Sequence, residues 1–461
     1  MKQMQIHLMS MDQLIQQTVI LGGGFTGLYT ALNLRRNNYP HSVILVDKEP
    51  CFRFRPLLYE YFSEQMDASQ VMPKFENLLE GSGVHFVQDA VDTIKLESRQ
   101  VQLQSGTVCP YSNLVIALGS VTGYFGVEGA QEHAIAFRDS DDAVALDQRI
   151  RSCIDTAMQS DEPEERRQTL TFVVIGGGPT GVELAATLAD LLPNWYQQRG
   201  GDPQEVRVVM LNRGPEILKG DINDPLRETA EQKLKQRAVP VEILTEATAT
   251  AIRPDAVEYR RGGHSAITLP AGTAIWTAGT ATHPLIKALP VKEEHRDRKG
   301  RLVVASTQQL PDYPEVFAGG DCAAVEGASL PPTAQVAHQQ GVTISNNLQA
   351  LIAGKPLADS NAHIRGTLMK LGLEEGAANI YDRAEVDGTV AHLIRQGTYM
   401  GLLPNPVHNL QAGWKWFNEG VLKRYLEPTE PATIAKWTAG AIVMAVVARK
   451  VTHALGSSDD P

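Results

Sequence analysis

Short β-branched runs that stop at glycine, each followed by a helix-forming stretch, set the pattern of this chain. The first run, Val19-Ile20-Leu21, enters Gly22-Gly23-Gly24-Phe25-Thr26-Gly27. Helix formers follow through residues 28–34, and a second apolar run, 42–47, ends on Asp47, 20 residues after Gly27. The pattern predicts strand, turn, helix and strand. It recurs when residues 170–175 enter Gly176-Gly177-Gly178-Pro179-Thr180-Gly181, with Gly176 lying 154 residues beyond Gly22. The strand predicted next, 206–211, ends on Asn212-Arg213 and not on an acid. Two further buried-strand runs end in glycine, at Gly119 and Gly279, and residues 315–318 lead into Gly319-Gly320-Asp321. Residues 140–168 read as helical and charged with a turn near Pro163, 239–270 as strand-rich, and 334–340 as a helix opened by Pro and Thr.

Glycine, glycine, two other residues and glycine, placed between strand and helix, match a dinucleotide-binding turn. Gly22 and Gly176 suit the tight turn, Gly24 and Gly178 leave room for a pyrophosphate, and Gly27 and Gly181 let helix and strand approach. The helix N-terminus then offers free N–H groups to the phosphates. Phe25 falls inside the first fingerprint, and Asp47 can accept from a ribose. In the second motif a neutral Asn212 followed by Arg213 removes the repulsion that an acid exerts on a 2′-phosphate and adds a cation. This suits NADPH as well as NADH, unless Arg213 is simply solvated.

Length and composition add limits. A chain of 461 residues exceeds the roughly 250–300 over which a single core grows, so more than one domain is expected. With 43% hydrophobic and 21% charged residues the composition is ordinary, and a net charge of −11 argues against nucleic acid as a partner. The four cysteines, Cys51, Cys109, Cys153 and Cys322, form no Cys-x-x-Cys pair, which suggests a reducing compartment with neither structural disulfide nor metal site. The stretch from Met1 to Gln17 lacks the pattern of a signal peptide, and no apolar run is long enough to span a bilayer.

Two stretches hold patterns open to more than one reading. Phe52-Arg53-Phe54-Arg55-Pro56-Leu57-Leu58 is an aromatic and basic loop beyond the second strand, where ligands bind in such sheets, or a packing loop with solvated arginines. Near the C-terminus, Val407, Leu410, Trp414, Phe417, Val421 and Tyr425 share one helical face, with Lys415, Lys423 and Arg424 largely off it. Such a helix suits a membrane interface, its own core or a second subunit. Residues 437–448 are 12 uncharged positions, about 18 Å as a helix. A hydrocarbon core is about 30 Å thick, so this segment should not cross.

The two glycine motifs, Trp276-Thr277-Ala278-Gly279, Gly320-Asp321 and Ala334-Gln335-Val336-Ala337-His338-Gln339-Gln340 together resemble type II NADH dehydrogenases over roughly residues 18–425. These are single-chain flavoproteins of the two-dinucleotide-domain disulfide-reductase superfamily. Met369-Lys370-Leu371-Gly372 and Leu393-Ile394-Arg395-Gln396 look most like cyanobacterial members. The resemblance implies an α/β fold of two Rossmann-like domains plus a C-terminal α/β region with amphipathic helices. The expected boundaries are 1–138 with 301–355 for FAD, 139–300 for NAD(P)H, and 356–461 for quinone and membrane. It implies FAD on Gly22, Gly24, Phe25, Gly27, Asp47, Gly119, Gly320 and Asp321, and NADH or NADPH on Gly176, Gly178, Gly181, Asn212, Arg213 and Gly279. Glu183 matches a glutamate near nicotinamide and flavin, and Gln335 and Gln339 match glutamines near flavin and quinone headgroup. His338, beside that face, reads as structural.

The implied reaction takes hydride from the nicotinamide to FAD and two electrons on to a membrane quinone, plastoquinone or a naphthoquinone, without proton pumping. Glu183 is then a candidate proton relay, or else a first-turn glutamate that favours the helix dipole. The implied place is the cytoplasmic face of a plasma or thylakoid membrane, peripherally bound, with a homodimer compatible. The rival readings are a sulfide:quinone-type oxidoreductase, which needs a thiol partner that Cys322 lacks downstream, and a slow-turnover redox-sensing flavoprotein.

Overall fold

A computed structural model describes residues 16–220, 222–262, 264–380 and 384–404. The aromatic helix pattern at 407–425 and the uncharged segment at 437–448 lie outside the described residues. In chain order, the elements that position the sites begin with β1 (Gln17–Leu21), α1 (Phe25–Arg36), β2 (Ser42–Asp47) and α2 (Leu58–Phe62). Then come β3 (Val84–Gln88), β4 (Asn113–Ile116), β5 (Ala134–Ala136), α3 (Ser140–Gln159), β6 (Thr171–Ile175) and α4 (Pro179–Gln198). After these lie β7 (Arg207–Leu211), β8 (Glu242–Leu244), β9 (Thr273–Trp276), β10 (Gln309–Leu310), β11 (Tyr313–Ala318) and α5 (Ala334–Ile352). The last are β12 (Gly366–Lys370), β13 (Gly376–Ile380), β14 (Ala384–Asp387) and α6 (Gly388–Gly401).

The chain divides into two compact units, each discontinuous. The first holds residues 16–52, 72–121 and 280–364, and the second 53–71, 122–279 and 365–404.

The first unit carries a six-stranded sheet in the order β10-β11-β4-β1-β2-β3, parallel except where β10 pairs with β11. Every residue of β1 and β4 is buried. Their uninterrupted apolar runs are what a parallel strand covered on both faces requires. An antiparallel meander, Val91–Lys95, Gln100–Leu103 and Val108–Pro110, forms a separate three-stranded sheet in this unit. Val19, Leu21, Leu114, Ile116, Val316 and Cys322 share one core cluster.

The second unit repeats the plan with a five-stranded parallel sheet, β8-β7-β6-β9-β5. Helix α3 opens with a capping box in which Asp139 and Asp142 each accept from the other's side of the turn. It ends at Gln159, and Pro163–Thr169 forms a separate helix after the predicted turn. The antiparallel sheet β12-β13-β14 and α6 belong to this unit too, and Met369 and Leu371 join the core formed by α4 and β6.

The aromatic and basic stretch follows the packing reading in its phenylalanines and departs from it at Arg53, which is not simply solvated. Phe52 and Phe54 are buried, Arg53 pairs with Asp139 at 3.2 Å, and helix α2 begins at Leu58. The phenylalanines therefore serve the packing.

Candidate functional site

The turn after β1 has the steric form of a phosphate cradle. Gly22 sits at φ +97°, and a Cβ on it would lie 2.4 Å from the Ala117 carbonyl oxygen. A Cβ on Gly27 would lie 1.9 Å from the Gly22 carbonyl oxygen, so helix α1 meets the turn with no space for a side chain. Gly24 is the opposite: a Cβ there meets nothing within 4 Å, and the residue is exposed at the start of α1. No side chain caps α1 at this residue, which leaves its first N–H groups facing outward. A pyrophosphate fits that open edge. Asp47 braces the turn, one carboxylate oxygen accepting from the Gly23 N–H at 2.6 Å and the other from the Glu49 N–H at 2.9 Å. Phe25 makes edge contact with Phe52 at 5.2 Å and lies parallel to Tyr29.

The Gly320-Asp321 pair reaches the same site from β11. Asp321 accepts from the Ser120 hydroxyl at 2.8 Å, just after Gly119, which takes φ +65° in the turn that follows β4. The Gly320 N–H donates to the Gln340 side chain at 2.7 Å. Thr26 donates to the Ala337 carbonyl at 2.9 Å, and a Cβ on Gly341 would fall 2.6 Å from the Thr26 carbonyl oxygen, so α1 and α5 cross in contact. Beside this crossing lies a cavity of about 470 Å³ lined by Asp321, Val325, Pro331, Thr333, Val336 and Gln340. Ser120 and Gln340 are site residues that the glycine pattern did not single out.

The turn after β6 repeats these demands in the second unit. Gly176 takes φ +122° with its Cβ position 2.8 Å from Ala278 Cα, Gly181 would clash with the Gly176 carbonyl at 1.8 Å, and Gly178 is open. Pro179 occupies the first turn of α4, where a missing N–H costs nothing. Asn212 stands where Asp47 stands in the first unit, but its amide donates to the Gly214 and Glu216 carbonyls at 3.0 and 2.7 Å. Arg213 is exposed and forms no ion pair among the described residues. Neither residue presents a negative charge where a 2′-phosphate would sit. Gly279, at φ +125°, ends the β9 exit beside Gly176.

Glu183, on the second turn of α4, lies in a buried charged cluster of the second unit. Its carboxylate accepts from the Lys370 N–H at 2.8 Å and lies 3.4 Å from Arg395 Nε, which finds no hydrogen-bond acceptor among the described residues. Burial pushes the Glu183 carboxyl above its ordinary value, while Arg395 and the Lys370 N–H pull it down. The other carboxylate, Glu60 on α2, takes both cations. Arg395 donates to one of its oxygens, and Lys370 Nζ lies 3.3 Å from the same atom. Burial works to raise the Glu60 carboxyl, but Arg395 and Lys370 outweigh it and hold it down to about 2. Lys370 is itself completely buried, and that burial lowers its ammonium. Gln65 accepts from Lys370 at 2.8 Å, and Pro56 accepts from Arg395. One carboxylate is thus held ionised by two cations that share one of its oxygens. The other keeps a raised affinity for a proton.

Residues 16–341 match the family of pyridine nucleotide-disulphide oxidoreductases. The chain is 33% identical over 410 residues to the demethylphylloquinone reductase of Synechocystis, covering 86% of this chain and 94% of that one. It is 31% identical over 345 residues to a type II NADH:quinone oxidoreductase of Mycobacterium tuberculosis, with 73% of each chain covered. The chain belongs to the type II branch of the pyridine nucleotide-disulphide oxidoreductase family. Its fold agrees with NDH2 from Plasmodium falciparum in complex with NADH, at a TM-score of 0.77 and 19% identity over 90% of this chain and 99% of that one. A sulfide:quinone oxidoreductase of Aquifex aeolicus shares the fold at a TM-score of 0.71 and 18% identity, covering 90% and 96%.

For a member of this family, the cysteines and glutamines are informative. None of the four cysteines forms a disulfide. Cys322 is buried, donates to the Ile116 and Gly319 carbonyls, and burial pushes its thiol up to about 11. A thiol in that state is a poor nucleophile, and no second cysteine pairs with it. On α5, Gln339 donates to the Gln335 and His363 carbonyls at 3.0 and 2.8 Å and accepts from the His363 N–H. Its amide is committed to backbone. Gln335 is half-buried one turn earlier, and His338 packs edge-on against Tyr29 at 4.2 Å.

Proposed function

We propose that this protein is an NAD(P)H:quinone oxidoreductase that takes hydride from NADH or NADPH onto bound FAD and delivers two electrons to a membrane quinone. The observation that carries this reading is the pair of open glycine turns, one per unit, in a chain without a paired thiol. Two dinucleotides fit, and disulfide exchange has no residues to run it. Kinship with the Synechocystis demethylphylloquinone reductase and with type II NADH:quinone oxidoreductases supports a quinone as acceptor.

FAD supplies the two-electron chemistry when bound. The Gly22–Gly27 turn and Asp321 hold its phosphates and ribityl chain, and Asp47 its ribose. The second turn holds the nicotinamide nucleotide, and Asn212 with Arg213 admits NADPH alongside NADH. The balance is NAD(P)H plus quinone plus one solvent proton, giving NAD(P)⁺ and quinol. Glu183 holds a proton for that step, because burial keeps its carboxyl raised. Gln335 offers an uncharged amide to a quinone oxygen, and Gln339 fixes the backbone at His363 beside it.

Among the described residues, no helix is long and apolar enough to cross a membrane. A quinone substrate puts the enzyme at a membrane surface, on the cytoplasmic face where NAD(P)H is found. The test is anaerobic stopped-flow of the purified yellow protein. NADH or NADPH should bleach the flavin, and a short-chain quinone should restore it. Bleaching without recovery would make the protein a sensor or leave it with another acceptor. No bleaching by either nucleotide would overturn the reading.

A further inference from the structure

Phe125 is the most exposed large apolar side chain among the described residues, at 66%. Its backbone is also left-handed, at φ +50°. That conformation disfavours a bulky side chain, and strained residues held in place by their surroundings gather at ligand sites. Here the surroundings are specific. The Phe125 ring lies over the Cα of Gly123, where a Cβ would come within 2.7 Å of it, and also borders Gly279, where a Cβ would lie 3.4 Å away. The loop is pinned to the end of β9: the Trp276 indole N–H donates to the Gly123 carbonyl at 2.8 Å, and the Gly123 N–H donates to the Gly279 carbonyl at 3.2 Å. Two glycines and a tryptophan bond thus hold a strained phenylalanine ring out in solvent, where its own burial returns little.

The position of the ring in the sheet suggests its use. The dinucleotide turn leaves β6, which lies between β7 and β9. The adenosine half of a dinucleotide lies on the β7 side, toward Asn212. The other half must then cross the Gly176 turn toward β9. The β9 exit runs directly against that turn, since a Cβ on Gly176 would meet Ala278 Cα at 2.8 Å. Gly279 is the next residue, and Phe125 covers it.

We propose that Phe125 is a stacking platform for the nicotinamide half of the bound NADH or NADPH, which makes it a binding residue for the pyridine nucleotide. A flat aromatic face on the ring contributes without a directional hydrogen bond. The proposal rests on the oxidoreductase reading above.

The test uses the full-length flavoprotein and four variants: F125A, F125G, F125L and F125Y. NADH affinity is read from the concentration dependence of anaerobic flavin bleaching, and the KM for a short-chain quinone is read in the steady state. Loss of one stacked ring should weaken NADH about ten-fold in F125A and F125G, within the range for base–aromatic stacking. F125Y should restore it, while F125L should not. The quinone KM should stay within two-fold throughout. Glycine accepts the left-handed backbone of this position without strain, so F125G should melt no lower than F125A while binding NADH as weakly. NADH affinity within two-fold of wild type in both F125A and F125G overturns the proposal. Equal recovery by F125L and F125Y also overturns it, because bulk and not an aromatic face would then suffice. A wild-type protein that NADH does not bleach defeats the oxidoreductase reading itself, a result separate from either of these.

Discussion

Arg395 lies 3.4 Å from Glu183 but gives its hydrogen bonds to Glu60 and to the Pro56 carbonyl. The nearer claim on the guanidinium leaves Glu183 with the Lys370 backbone N–H, the Tyr59 hydroxyl and an unaligned cation. Replacing Glu183 by Gln should therefore leave flavin bleaching by NADH within two-fold and slow reoxidation by quinone by about 10- to 100-fold. The pH profile of reoxidation should lose its alkaline limb in the same variant. Stopped-flow with a short-chain quinone across pH 5–9 checks both.

Glu60 makes the fold sensitive to acid. Its carboxyl is held down to about 2, below the ordinary value of 4.5. The stabilisation it gives is present above about pH 4.5 and is lost as the pH falls toward 2. The loss should be on the order of 3 kcal/mol. Chemical denaturation at pH 7 and pH 3 reads about 2 kcal/mol of it, the rest going below pH 3, and Glu60→Gln should flatten that part of the curve. Arg395→Met strands Glu60 without its strongest partner and should cost roughly 3–5 kcal/mol at pH 7.

The glycine turns predict opposite outcomes for neighbouring alanines. Gly24→Ala meets no protein atom, so the chain should fold, with native circular dichroism, and lose its yellow colour. Gly27→Ala would push a methyl against the Gly22 carbonyl at 1.9 Å and should give insoluble or strongly destabilised protein. Gly178→Ala should keep the flavin and raise the KM for NADH.

Arg213 is exposed, so its substitution should not disturb the fold. Arg213→Glu should raise the KM for NADPH at least ten-fold, with NADH and the melting temperature nearly unchanged. Equal effects on both nucleotides would mean that Arg213 does not read the 2′-phosphate.

Cys322 should be dispensable for chemistry. Cys322→Ala should retain NADH:quinone turnover within about three-fold, measured with a short-chain quinone. Loss of turnover with intact flavin would reopen a thiol mechanism.

The two nucleotide turns were legible in the sequence because their demands are local. Each glycine answers to atoms a few residues away or on the next strand, and chain spacing alone aligns them. The charged cluster was not legible as a cluster. Glu60, Glu183, Lys370 and Arg395 come from four elements far apart in the chain, and only packing brings them together. Lys370 and Arg395 stood out only inside family-like strings, with no sign that both are buried. Helical phase explains the glutamines. Gln335 and Gln339 share a face, and that face meets His363. Gln340 is one step round, about 100° away, and that step points it at the Gly320 N–H. The aromatic loop left two readings open because alternating Phe and Arg do not show which set turns inward, and burial of Phe52 and Phe54 decides for packing.

The contact of Thr26 with Gly341 also bears on how the protein is made. Strand β11 and helix α5 complete the first unit, yet the ribosome supplies them only after residues 122–279 have emerged. The N-terminal strands must wait, with the edge of β4 open, until β11 and α5 have been synthesised. Flavin capture by this unit is thus a late event in the life of the nascent chain. A chain stalled before residue 313 should be colourless and dependent on chaperones.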